Sequence, residues 1–129
     1  MATFKYNHVH LTSPDPLKTA EFYEKNFGAT RVNATKIDGN TSVEFNLGGA
    51  GGRLLIIERP GTAIKTGDVY NSGLEHFGMS TDNLDEAVAI LKKAGVKFKG
   101  EPIRVMPWGL RLSFFWAPEN VLIEMLEIK

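Results

Sequence analysis

Three histidines and two acids in apolar surroundings are the residues of this chain whose types and spacing could do chemistry. His8 and His10 stand in Asn7-His8-Val9-His10-Leu11-Thr12, and His76 stands in Gly73-Leu74-Glu75-His76-Phe77-Gly78. Fifty positions after His8 comes Glu58, closing Arg53-Leu54-Leu55-Ile56-Ile57-Glu58, and 48 positions after His76 comes Glu124 in Val121-Leu122-Ile123-Glu124. Two similar stretches, each supplying one imidazole and one carboxylate, make a mixed N/O donor set for a divalent metal ion. Such a set suits Zn, Ni, Co, Mn or Fe and does not suit Cu(I) or an iron–sulfur centre, which select sulfur ligands. A six-coordinate ion on His8, Glu58, His76 and Glu124 keeps two positions for water or a chelating substrate.

These residues are positioned by what reads as one plan used twice. Each half begins on a strand-like segment carrying a histidine, passes through a Ser/Thr/Pro/Asp turn and enters a helix. The helix after His8 ends near Gly28, 20 positions on, and the helix after His76 ends near Gly95, 19 positions on. In residues 4–12, Tyr6, His8, His10 and Thr12 alternate with Val9 and Leu11, the pattern of a half-buried strand. Ser13-Pro14-Asp15-Pro16 ends that strand and starts a helix over 16–27, with Asp15 as N-cap, Pro16 at the first helical position and Gly28 after the last turn. Its expected apolar face is Leu17, Ala20, Phe22, Tyr23 and Phe27. A hairpin is expected from 30–37 and 41–47 around Asp38-Gly39, followed by a strand at 53–58. Gly48-Gly49-Ala50-Gly51-Gly52 lacks the Lys-Ser/Thr sequel of a phosphate loop and reads as a plain loop. Residues 59–72 connect the halves and are a candidate lid.

The second half is expected as a strand at 73–80, a helix at 84–94 capped by Asp82-Asn83 with Leu84, Val88 and Leu91 inward, and strands at 97–105, 110–116 and 120–128. Turns fall at Pro107-Trp108-Gly109 and Ala117-Pro118-Glu119-Asn120. His76, Gly78 and Ser80 share one strand face. Alternation puts Glu58 with Leu54 and Ile56, and Glu124 with Leu122 and Leu126; a carboxylate in such a row needs a partner. The four donors are thus expected to converge on the concave side of a curved sheet.

Composition narrows the alternatives. The 129 residues suit one domain, residues 1–129, with module 1 over about 4–58 and module 2 over about 73–128. Fifteen basic and fifteen acidic residues cancel, which gives no field drawing the chain to nucleic acid or an anionic membrane. The absence of cysteine removes disulfides and thiolate catalysis. No apolar run approaches the roughly 18 residues of a membrane span, and Met1-Ala2-Thr3-Phe4-Lys5-Tyr6-Asn7 is not a signal peptide. A cytoplasmic protein is the expectation.

The whole chain resembles the vicinal oxygen chelate superfamily, which includes glyoxalase I, methylmalonyl-CoA epimerase, extradiol dioxygenases and the fosfomycin- and bleomycin-resistance proteins. The residues carrying the resemblance are His8, the helix ending Glu21-Phe22-Tyr23-Glu24-Lys25-Asn26-Phe27-Gly28, Glu58, Gly73-Leu74-Glu75-His76 and Pro118-Glu119-Asn120-Val121-Leu122-Ile123-Glu124. The resemblance implies an α+β fold of two βαβββ modules in a curved, incompletely closed mixed barrel, with helices outside. It implies His8, Glu58, His76 and Glu124 as metal ligands, the full set closest to glyoxalase I. Four residues after His8, where glutathione-using members often place Arg, stands Thr12; four after Glu58, where they often place Asn, stands Thr62.

The chemistry this resemblance implies is proton transfer beside a carbonyl. A metal ion chelates two vicinal oxygens and stabilises an enediolate, while a carboxylate takes the α-proton and returns it to the neighbouring carbon. Glu124 is the expected base, Glu58 its counterpart, and His10 a proton relay on the face of His8. Trp108 and Phe114 are candidate pocket walls, with Phe115 in the core or beside them, and Arg111 is a candidate contact for an anionic substrate. The implied activity is that of a lyase or isomerase on a hydroxy-carbonyl substrate, a thiol adduct or acyl-CoA among the candidates. An extradiol-type Fe(II) dioxygenase and a non-catalytic small-molecule binding or resistance protein are the alternatives. The superfamily also implies a homodimer.

Overall fold

The computed structural model describes residues 7–48, 52–59, 61 and 74–128. Thr62, Gly73, residues 4–6 of the first expected strand and most of the candidate lid lie outside the described residues. The chain divides into two compact units, Met1–Ala63 and Ile64–Lys129. Among the described residues no helix is long and apolar enough to cross a membrane.

The first unit runs β1 (Val9–Thr12), α1 (Pro16–Phe27), β2 (Thr30–Ile37), β3 (Asn40–Asn46) and β4 (Arg53–Ile57). Its sheet has the order β1-β4-β3-β2, with β1 parallel to β4 and the other neighbours antiparallel. Parallel pairing of the first and last strands needs a crossover, and α1 supplies it. The Asp15 carboxylate accepts the Lys18 N–H at 3.2 Å, Pro16 opens the helix without wasting a donor, and the Gly28 N–H returns to the Glu24 carbonyl. Ala20 and Tyr23 are buried, with Tyr23 packed on Phe45 at 5.3 Å between ring centroids. Leu17, expected on the inner face, is instead exposed, and Thr19 is buried with its hydroxyl 2.8 Å from that of Ser13. The β2–β3 hairpin closes on Asp38 and Gly39, both at positive φ, as a two-residue turn requires. Leu11, Val43, Phe45, Leu54 and Ile56 form the buried face of this sheet.

The second unit repeats the plan as β5 (Phe77–Thr81), α2 (Leu84–Lys93), β6 (Lys97–Phe98), β7 (Arg104–Val105), β8 (Arg111–Ala117) and β9 (Val121–Glu127). The order is β5-β9-β8-β6, with β7 also on β8, and β5 is parallel to β9. Asn83 caps α2 by accepting the Glu86 N–H at 3.1 Å, while its own amide reaches the Glu86 carboxylate. Leu84, Val88 and Leu91 are buried, as are Phe115, Ile123 and Met125.

The single strand expected over 97–105 is broken into β6 and β7. Gly100 sits at φ +77, Pro102 has no N–H to give a ladder, and the Arg104 guanidinium fills the gap by bonding the Lys99 carbonyl. The fold is α+β: among the described residues each unit carries one mixed sheet and one α-helix.

Candidate metal centre

His76 lies just before β5, and Glu124 lies in the middle of β9. Strand register sets Gly78 and Phe114 either side of Glu124. With no side chain at Gly78, the nearest atom to a Cβ built there is the Glu124 carbonyl, 3.8 Å off. The imidazole of His76 is hydrogen-bonded at Nδ1 and faces a second carboxylate at Nε2. Nδ1 is 2.9 Å from Oε2 of Glu75, and Nε2 is 3.6 Å from Oε2 of Glu124. The ring also meets Phe114 edge-on at 5.2 Å, and the Arg104 guanidinium lies 5.4 Å from the Phe114 ring centroid.

This pair fits a divalent cation. In the tautomer with the proton on Nδ1, that N–H donates to Glu75 and the Nε2 lone pair faces the Glu124 carboxylate. Two facing lone pairs attract a cation between them. Donor atoms each about 2.1 Å from a metal ion stand roughly 3.0–3.6 Å apart for angles of about 90–120°, and the observed separation lies within that range. Glu75 also matches the common arrangement in which a ligating histidine donates its other N–H to a carboxylate.

In the first unit His8 has a similar support. Its Nδ1 is 2.7 Å from Oδ1 of Asn7. That oxygen also accepts from Arg53 Nη1, and Arg53 is held by Glu44 through Nε–Oε2 at 2.7 Å and Nη2–Oε1 at 3.2 Å. The Arg53 guanidinium keeps the Glu44 carboxyl below its usual range. The His8 and His10 rings are 6.4 Å apart. Desolvation, then the charges of Arg59 and His8, hold His10 below the ordinary imidazole value.

Glu58 and His8 both lie just outside the paired residues of β4 and β1. Register pairs Leu54 with Val9 and Ile56 with Leu11, the buried row opposite His10. Glu58 itself lies one residue past β4, its N–H donating to the Thr41 carbonyl at 2.9 Å. The residue that shares a face with His10 on β4 is Leu55. Among the described residues no three His, Asp or Glu side chains gather closely enough to hold an ion.

The other expected contacts separate. Phe114 stands against His76. Trp108 is 74 % exposed at the tip of its turn, and Phe115 is core. Arg111 is engaged by two carboxylates, Asp85 at 3.0 Å and Glu127 at 3.2 Å, and these hold its guanidinium above its usual value. It ties the start of α2 to β9 rather than standing ready for a substrate anion.

A sequence model of the Glyoxalase/Bleomycin resistance protein/Dioxygenase superfamily matches residues 5–125. A lactoylglutathione lyase of Schizosaccharomyces pombe is 29 % identical over 151 residues, covering 98 % of this chain and 48 % of that protein, so the chain spans about half of its relative. Among solved structures, a glyoxylase/bleomycin resistance protein/dioxygenase domain from Frankia sp. EAN1pec superposes with a TM-score of 0.81 at 23 % identity, covering 99 % of this chain and 100 % of the other. The fosfomycin resistance protein FosX of Listeria monocytogenes, in a mutant form complexed with Mn(II) and a dihydroxypropylphosphonic acid, gives 0.73 at 22 % identity, covering 100 % and 95 %. At these identities the structural likenesses establish the fold.

Proposed function

The chain belongs to the Glyoxalase/Bleomycin resistance protein/Dioxygenase superfamily, and from that premise we propose that it is a metal-dependent lyase or isomerase of the glyoxalase type, acting on a small hydroxy-carbonyl substrate. The observation that carries this reading is the His76–Glu124 pair, with Nε2 and a carboxylate oxygen 3.6 Å apart on one sheet face and Nδ1 anchored by Glu75. His76 and Glu124 would hold a divalent cation, which would polarise the substrate carbonyl and favour the negative charge that develops on it.

The chain's own groups do the rest. Glu124 turns Oε2 toward His76, and its other oxygen takes the proton from the carbon beside the carbonyl and returns it to the neighbouring carbon. Phe114 walls the carboxylate on one side, and the missing side chain of Gly78 leaves room on the other.

The test is metal analysis of the purified protein, followed by a panel of hydroxy-ketones and hemithioacetals offered to the metal-loaded chain. Ni, Co, Zn or Mn with turnover supports the reading. Fe(II) with oxygen uptake replaces it by a dioxygenase, and a folded protein that binds no metal is a binding protein instead. His76→Ala is expected to lose its metal and stay folded; unchanged metal content removes His76 from the centre. Glu124→Gln is expected to keep some metal and lose turnover by roughly 100- to 10,000-fold, the worth of a positioned general base, and an active variant places the base elsewhere.

A further inference from the structure

The ladders of the second sheet put Arg104 on the face of the His76–Glu124 pair. Phe114 pairs with Glu124, and two residues back along β8 Leu112 pairs with Arg104 of β7. Directly paired residues share a face, as do residues two apart on one strand. Arg104, Phe114 and Glu124 therefore lie together, while Ser113, Phe115, Ile123 and Met125 fill the buried face behind them. Arg111 alternates onto that other face, where its carboxylate partners already hold it.

The Arg104 guanidinium is seated. Its Nη2 donates to the Lys99 carbonyl, its carbon stands 5.4 Å from the Phe114 ring centroid, and it rests against Gly100, where an added Cβ would come within 2.6 Å of Nη2. The ring that it covers is the ring that meets His76 edge-on at 5.2 Å. One phenyl group thus borders both a fixed cation and the His76–Glu124 pair. The charge of that cation is not matched inside the fold. Arg31, Arg53 and Arg111 each face a carboxylate, whereas among the described residues no carboxylate pairs with Arg104. Stacking covers one side of the guanidinium plane and leaves its edge, the planar fork of N–H donors that matches a carboxylate or phosphate. Lys99 adds a second positive charge along this margin, its Nζ 5.8 Å from the Trp116 ring centroid.

We infer that Arg104 is the anion-recognition residue of this site: the substrate carries an oxyanion, carboxylate or phosphate, a few bonds beyond its hydroxy-carbonyl group, and Arg104 binds it with two N–H donors. This rests on the reading in which His76 and Glu124 address the carbonyl, and it narrows the substrate class of that reading. The part of the substrate between the two groups lies along Phe114. Arg104 stands two strands across the sheet from Glu124, roughly 10 Å at ordinary strand spacing, which keeps the bound anion clear of the Glu124 carboxylate.

Calorimetric titration of the full chain, with and without Mn(II), tests the assignment. Dihydroxyacetone and its phosphate form one probe pair; hydroxylevulinate methyl ester and free hydroxylevulinate form the other. The native chain is expected to prefer the charged member of at least one pair by roughly 10- to 100-fold, the worth of a charge-assisted hydrogen-bond pair, and the pair that shows it distinguishes phosphate from carboxylate. In Arg104→Met the preference is expected to fall below about twofold, with the neutral probe bound as before. Arg104→Lys keeps the charge and is the variant to read where Arg104→Met does not fold; it is expected to bind the charged probe severalfold more weakly, since an ammonium lacks the fork. A native chain without the preference, a preference that survives Arg104→Met, or unchanged affinity in Arg104→Lys overturns the assignment. Equal weakening of both members also overturns it and leaves Arg104 as a brace for Phe114. An Arg104-dependent preference in a chain that binds no Mn(II) supports the anion contact and removes the metal-dependent reading instead.

Discussion

At the residue scale, His8 and His76 are recognisable because each opens a repeated pattern, whereas their supports are hidden. Asn7 and Glu75 immediately precede the histidines, and in a strand neighbouring side chains point to opposite faces. Both pairs lie before their strands begin, at Val9 and Phe77. There the chain is not bound by the pleat, so each side chain can curl onto the ring beside it. Glu75→Gln is therefore expected to weaken cation affinity by roughly 10–100-fold while leaving the thermal midpoint nearly unchanged, measured by metal titration and calorimetry. Glu44 carries a pH signature. Its folded value lies below the ordinary 4.5, chiefly through its hydrogen bond from Arg53, so its contribution is complete above about 4.5 and disappears as pH falls through the lowered value. The difference in melting temperature between native chain and Glu44→Gln should accordingly be constant near neutrality and vanish in acid; a difference that grows on acidification contradicts the pairing.

At the element scale, both helices, their caps and the β2–β3 hairpin can be read from the chain, because Asp15, Pro16, Gly28, Asn83 and Asp38-Gly39 act locally. What could not be read was register. The spacing from His8 to Glu58 resembles that from His76 to Glu124, yet spacing does not set register, and a one-residue slip along a strand changes the face of every side chain. Only the partner strands decide which residue faces which. The split of β6 from β7 was legible in hindsight from Gly100 and Pro102. Ser113 lies buried in β8, its hydroxyl without a hydrogen-bond partner among the described residues. Ser113→Ala is expected to stabilise the chain by about 1 kcal/mol, because an unpaired buried hydroxyl has lost its water, and denaturant unfolding would register it as a raised midpoint.

At the scale of the whole molecule, the duplication visible in the sequence is matched by two sheets of the same strand order, each with its helix between the first and second strands. The superfamily's habit of pairing leads us to expect a homodimer, seen in sedimentation as twice the mass of one chain; a species at the single-chain mass through the micromolar range contradicts it. In both halves the histidine precedes a strand that, among the described residues, pairs only with the last strand of that half, about 45 residues downstream. During synthesis that partner strand is the last of its half to emerge, so the strand following each histidine has no sheet to join until its half has left the ribosome. On the metal-dependent reading proposed above, cation capture would come late in maturation: a truncated half would expose a histidine but not the partner strand that aims it, and metal occupancy would report completed folding rather than seed it.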